Sequence, residues 1–126
     1  MRIRGVYQIT LFIKDMSVMV AFYRDIMKLV VNSPQDDYSD VNWVTLQAGN
    51  ITLALHAGRK DNVARDHTPQ ICFLVDDVEK ERQRLIEAGI RVDPITEVSP
   101  QVRFALARDP EGNLFSIDHN AHVDAE

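Results

Sequence analysis

The sequence predicts an α+β domain made of two β-α-β-β-β modules in tandem, and three observations predict it. The stretch "QITLFIKD" at residues 8–15 returns as "QICFLVDD" at residues 70–77, an offset of 62 residues. In both copies a β-rich apolar run ends in Asp, and a helical pattern follows. Gly49-Asn50 and Gly112-Asn113 lie 63 residues apart, so the register of the repeat holds to within one residue. Self-similarity at about half the chain length marks a duplicated structural unit.

Each element follows from its residues. Residues 8–13 read as a strand, and Asp15 can cap the first helix by accepting free N–H groups of its first turn. Met19, Phe22, Tyr23 and Ile26 fall at i, i+3, i+4 and i+7, which is one apolar helix face. A short strand near 29–33 and a hairpin of 41–48 and 51–56 around Gly49-Asn50 complete the first module. Residues 57–69 are charged with little apolar periodicity, which is linker composition. The expected modules are therefore about 1–57 and 68–126 of one 126-residue domain, joined by a linker of about 58–67.

The second copy opens with a strand at 70–75, and Asp76 or Asp77 caps its helix. Val78, Leu85 and Ile86 face inward, while Glu79, Lys80, Glu81, Arg84 and Glu87 mostly face water. Gly89 can end the helix in a left-handed turn. A strand near 90–93 and a hairpin of 101–108 and 114–119 around Pro110-Glu111-Gly112-Asn113 follow.

Composition bounds the function. With 45% hydrophobic and 26% charged residues, the chain has the make-up of an ordinary globular domain. A net charge of −5 argues against a nucleic-acid partner, because phosphate binding needs a basic face. No run approaches the roughly 20 apolar residues of a membrane span, and no signal-like segment opens the chain. The single cysteine, Cys72, cannot form an internal disulfide, so a cytoplasmic, reducing location is expected.

"ITLFIKDM…AFYRDIMKLVV", a half-length repeat and a closing "RDPEGNLF" together resemble the vicinal oxygen chelate superfamily of glyoxalase I, extradiol dioxygenases, fosfomycin-resistance enzymes and bleomycin-binding proteins. The resemblance covers nearly the whole chain and rests most on Phe22-Tyr23-Arg24-Asp25 and on Asp109-Pro110-Glu111-Gly112-Asn113. These are scaffold motifs, which identify a fold better than a reaction. The resemblance implies mixed sheets curled around a cavity and a homodimer.

It also implies a divalent metal, held by a His on the first strand of each half and a Glu on the last strand of one or both. The matching positions are Gln8, Gln70, Ser116 and Ala54 (Leu53 if the offset is 63). Transition-metal sites favour imidazole, thiolate or carboxylate donors. An amide is a weak neutral ligand, an un-ionised hydroxyl is weaker, and alanine has no donor. No metal and no cofactor is therefore expected. A relocated site would have to use His56 and Asp118, or His67, His119 and His122.

Strand alternation gives the expected lining of the cavity, because residues two apart share a face. Gln8, Thr10 and Phe12 fall together, as do Gln70, Cys72 and Leu74. Thr52, Ala54 and His56 join from one hairpin, and Leu114, Ser116 and Asp118 from the other. Trp43 adds a flat apolar surface. The opposite set of Ile9, Leu11, Ile13, Ile71, Phe73 and Val75 should pack under the helices. Arg103 meets an anionic ligand if it faces inward and is otherwise an exposed strand charge. Cys72 has no sequence-adjacent base to make it a nucleophile. Asp36 and Asp37 sit in a polar loop and read as solvated. The function expected is metal-free binding of a small, partly apolar molecule in which Gln8 and Gln70 supply hydrogen bonds. The alternatives are a lyase- or dioxygenase-type enzyme with a rearranged site, or a scaffold that has lost its site.

Overall fold

The structure, a computed structural model, describes residues 1–59 and 69–123. The chain divides into two compact units, one holding the first of these stretches and the other the second. The proposed linker positions 60–67, His67 among them, lie outside the described residues.

In the first unit the elements run β1 (Gln8–Ile13), α1 (Met16–Ala21), a π-helical turn (Phe22–Ile26), β2 (Val30–Val31), β3 (Trp43–Ala48) and β4 (Ile51–Ala57). The second unit runs β5 (Ile71–Leu74), α2 (Val78–Glu87), β6 (Thr96–Ser99), β7 (Val102–Arg108) and β8 (Leu114–Asn120). The sheet orders are β1-β4-β3-β2 and β5-β8-β7-β6, the same topology twice. In each sheet the first strand pairs in parallel with the last, and the other pairs are antiparallel. The architecture is thus two tandem βαβββ modules with mixed sheets.

Both helices begin where the aspartates predict. The Asp15 carboxylate accepts the Val18 N–H at 3.1 Å, and that of Asp77, rather than Asp76, accepts the Lys80 N–H at 3.0 Å. The first helix departs from the predicted α-periodicity. After Ala21 the backbone widens, and the Met27 N–H reaches the Phe22 carbonyl at 3.0 Å. A π turn inserts one residue into the ladder. Phe22 and Tyr23, neighbours in sequence, are both buried, edge to face with centroids 5.0 Å apart, whereas Ile26 is half-buried. The helix faces pack on the sheets through Met19, Val20 and Phe22 over Leu53 and Leu55 in the first unit. In the second, Val78 and Leu85 lie over Phe115 and Ile117. Ile86, predicted inward, is 38% exposed.

The strands β1 and β5 lie at the edges of their sheets, so the apolar set on them is unevenly covered. Ile13 is fully buried, while Ile9, Leu11, Ile71, Phe73 and Val75 are half-buried. The strand expected near 90–93 is reduced to a single bridge from Val92 to Ala107, and the paired edge strand lies at Thr96–Ser99 instead. Pro94 accounts for the interruption, since it has no N–H to give to the ladder and restricts the residue before it. The last hairpin turns at Asp109-Pro110-Glu111-Gly112, with Gly112 at φ 85°. The buried Asp109 carboxylate accepts the N–H groups of Glu111 and Asn113 and the Asn113 side-chain amide, at 3.0, 2.9 and 2.8 Å.

Candidate functional site

Each sheet has a helix-covered face and an open face, and pairing decides which residues share the open one. In the first unit Gln8 pairs with Thr52, Thr10 with Ala54 and Phe12 with His56. Across the next ladder Trp43 pairs with His56 and Thr45 with Ala54. Gln8, Thr10, Phe12, Trp43, Ala54 and His56 therefore stand on one face. In the second unit Cys72 pairs with Ser116 and Leu74 with Asp118, and Ser116 also faces Leu106. Gln70, Cys72, Ser116 and Asp118 share the open face there.

One rung of the first sheet is aromatic on three adjacent strands. The His56 ring lies between Phe12, at 5.2 Å, and Trp43, at 5.5 Å and nearly edge-on. Phe12 is 54% and Trp43 45% exposed, so large flat apolar surface remains open beside a polar ring. His56 Nδ1 lies 2.6 Å from the Ala57 carbonyl. A carbonyl can only accept, so this nitrogen carries the proton, and Nε2 is left as an acceptor in the neutral ring.

The second open face carries a polar chain. Gln70 Nε2 donates to Ser116 Oγ at 3.0 Å and approaches Cys72 Sγ at 3.4 Å. Ser116 Oγ in turn donates to Asp118 Oδ1 at 2.5 Å. Ser116 is fully buried, yet both its donor and its acceptor capacity are used. Cys72 is exposed rather than a buried filler.

These residues do not fit the metal that the fold implies. At the first-unit positions Gln8 gives its amide hydrogen to Thr10 Oγ1 at 3.2 Å, and Ala54 is fully buried without a donor atom. At the second-unit positions Gln70 directs N–H, not lone pairs, at Ser116. None of the four is anionic, so a dication would lose its hydration uncompensated. Among the described residues no group of three or more His, Cys, Asp or Glu side chains is placed to hold a metal ion.

The other candidates are placed as follows. Arg103 is neither turned to the open face nor a free strand charge. It points to the helix side and forms an ion pair with Glu79 of α2. His119, its cross-strand neighbour, lies on that same side, away from Asp118. His122 is exposed in the turn after β8. Asp37 accepts the Ser39 N–H at 2.9 Å, and this bond holds its carboxyl below the usual range. The aromatic rung was legible in sequence as face parity, but its contact geometry was not, because register across three strands sets it.

Among described residues no helix is long and apolar enough to cross a membrane. No curated protein matches the chain in sequence. Among solved structures, lactoylglutathione lyase from Agrobacterium tumefaciens aligns with a TM-score of 0.75 at 20% identity, over 99% of this chain and 100% of that one. Virulence protein STM3117 from Salmonella typhimurium aligns with 0.72 at 21%, over 95% and 99%. TnmS3, an antibiotic binding protein from Streptomyces sp. CB03234, aligns with 0.71 at 22%, over 93% and 96%. At such identities these likenesses establish the fold alone. The family model described as Glyoxalase/Bleomycin resistance protein/Dioxygenase superfamily matches residues 5–117, and the chain belongs to that superfamily.

Proposed function

We propose that this protein binds a small, partly apolar molecule without a metal. The observation that carries the reading is the open aromatic rung of Phe12, His56 and Trp43, set on a sheet face whose family ligand positions hold Gln8 and Ala54. Binding surfaces of this kind combine apolar area with a few placed polar groups. Gln8 and His56 Nε2, on the same sheet as the rung, are the polar groups we assign to ligand recognition. A neutral hydrogen bond adds only about 0.5–1.5 kcal/mol, so affinity depends mainly on the rings. The antibiotic-binding neighbour supports a non-enzymatic use of the fold. We further take the chain to be cytoplasmic, on its single cysteine, and homodimeric, since edge strands need cover. Sedimentation at tens of micromolar showing one chain mass alone would refute the dimer.

Trp43 is the one tryptophan, so its fluorescence reads the site directly. Native mass spectrometry of the purified protein should find a co-purified organic molecule. Adding that molecule back should perturb Trp43 emission, and Phe12→Ala should weaken binding about tenfold. About one transition metal per chain, lost on changing Gln8 or Gln70, would overturn the reading.

A further inference from the structure

The repeat gives the aromatic rung a counterpart in the second unit, and the chemistry there is different. The offset of 62 residues carries Phe12 to Leu74 and His56 to Asp118. The ladders agree with the offset. Leu74 pairs with Asp118 across β5 and β8, and Phe104 pairs with Asp118 across β7 and β8. Phe104 thus takes the place that Trp43 has in the first unit. The first rung sets an imidazole between two rings, whereas the second sets a carboxylate between Leu74 and Phe104.

That carboxylate is held in place from below. Gln70 gives an amide hydrogen to Ser116 Oγ at 3.0 Å, and Ser116, fully buried, gives its own hydrogen to Asp118 Oδ1 at 2.5 Å. An amide N–H can only donate. The donors therefore run one way, from β5 into β8, and end on Asp118 as the last acceptor. Its Oδ1 is fixed by this chain. Among the described residues Oδ2 takes no hydrogen bond, and no cationic side chain pairs with the carboxylate.

The cations of β7 do not balance it. Arg103, next to Phe104 in sequence, projects to the helix side and is paired with Glu79. Arg108 shares the open face but lies four residues further along β7, about 13 Å of strand, and donates to the Gly112 carbonyl at 2.8 Å. That separation exceeds the Debye length of roughly 8 Å at physiological salt. His119 lies on the helix side as well. Leu74 is 38% exposed and Phe104 is half-buried, so apolar surface stays open on both sides of the carboxylate.

We infer that this second rung binds a small organic ammonium ion, an apolar amine whose charged head meets Asp118 Oδ2 and whose body lies on Leu74 and Phe104. An ammonium N–H given to a carboxylate is a charge-assisted hydrogen bond, about twice as strong as a neutral one. The π face of Phe104 adds attraction for the cation. The site lies wholly in the second unit and does not rest on the function proposed for the first.

The test uses two probes that differ in the head alone. 1-Naphthylmethylamine is a cation at neutral pH, and 1-naphthalenemethanol carries the same rings with an uncharged hydroxyl. Both are titrated into the isotopically labelled intact chain and followed by amide chemical shifts. The amine should bind about five- to tenfold more tightly than the alcohol, shift the amides of Leu74, Phe104 and Asp118, and lose much of its advantage in high salt. Asp118→Asn keeps an oxygen for the Ser116 hydroxyl and should bring the amine down to the affinity of the alcohol. Phe104→Leu should weaken both probes about threefold. The contrast between the probes on the unaltered chain decides the matter even if a variant is unstable. Equal affinity for the two, no binding of the amine, or an amine advantage that survives Asp118→Asn would overturn the inference. If the amine shifts Trp43 instead of Phe104, it sits on the aromatic rung, and this inference falls while the proposed function stands. If the amine behaves as expected but no co-purified molecule perturbs Trp43, the proposed function falls alone.

Discussion

The side-chain amide of Gln70 donates to the hydroxyl of Ser116 at 3.0 Å across 46 positions of sequence. The two residues occupy the places where the superfamily resemblance implies a histidine and a glutamate ligand. Here they satisfy each other, and Ser116 passes the interaction on to Asp118. Two potential ligand positions have become a hydrogen-bonded strut between the parallel strands β5 and β8.

That strut makes Ser116 a stability residue. Ser116→Ala should cost about 1–2 kcal/mol, because it removes two hydrogen bonds and strands part of the Gln70 amide. Urea unfolding of Gln70→Leu, Ser116→Ala and the double variant should give a coupling of about 0.5–1.5 kcal/mol. Strict additivity would show that the two residues do not act together.

The closing turn should be more sensitive. Asp109 is 4% exposed and its carboxylate accepts three hydrogen bonds. Asp109→Ala leaves those donors without a partner and should lower stability by about 2–3 kcal/mol. Asp109→Asn should recover part of the loss, as its one acceptor oxygen can still take N–H donors. A denaturation midpoint unmoved by the alanine change would contradict this.

The two helix caps are equivalent by construction. Asp15→Ala and Asp77→Ala should each cost about 1 kcal/mol, and Ser at either position should restore most of it. Thermal melts followed by circular dichroism would measure both. A loss at one cap only would show that the other helix is held by packing alone.

The paired Arg24 and Asp25 give a titration to follow. The side-chain hydrogen bond from Arg24, at 2.7 Å, holds the Asp25 carboxyl below the usual aspartate range. A carboxyl depressed by folding contributes stability above its unfolded value, and that contribution is lost as pH falls through the folded one. The pair is exposed, so the effect on stability is small. The carboxyl resonance of Asp25 should titrate below that of an ordinary aspartate, and Arg24→Gln should move it back up. An unchanged midpoint in that variant would assign the shift to another cause.

The sequence by itself determined the duplicated βαβββ plan, because Asp caps, Gly-Asn turns and alternating strands are local signals. The resemblance carried by its motifs implies that the superfamily's ligand positions fall on Gln8, Gln70, Ser116 and Ala54 or Leu53, none of which is a usual metal donor. Parity groups residues two apart on one face, because a strand has only two sides. Tertiary structure alone decided what those faces hold. Phe12, His56 and Trp43 meet only because three strands share one register, and Gln70 meets Ser116 only because β5 lies parallel to β8. The π turn after Ala21 escaped the periodicity, since the burial of Phe22 and Tyr23 together is a demand of packing rather than of helix propensity. Arg103 could not be read in advance for the same reason. Its side of the sheet is fixed by the ladder, but its partner, Glu79, is fixed by where α2 packs.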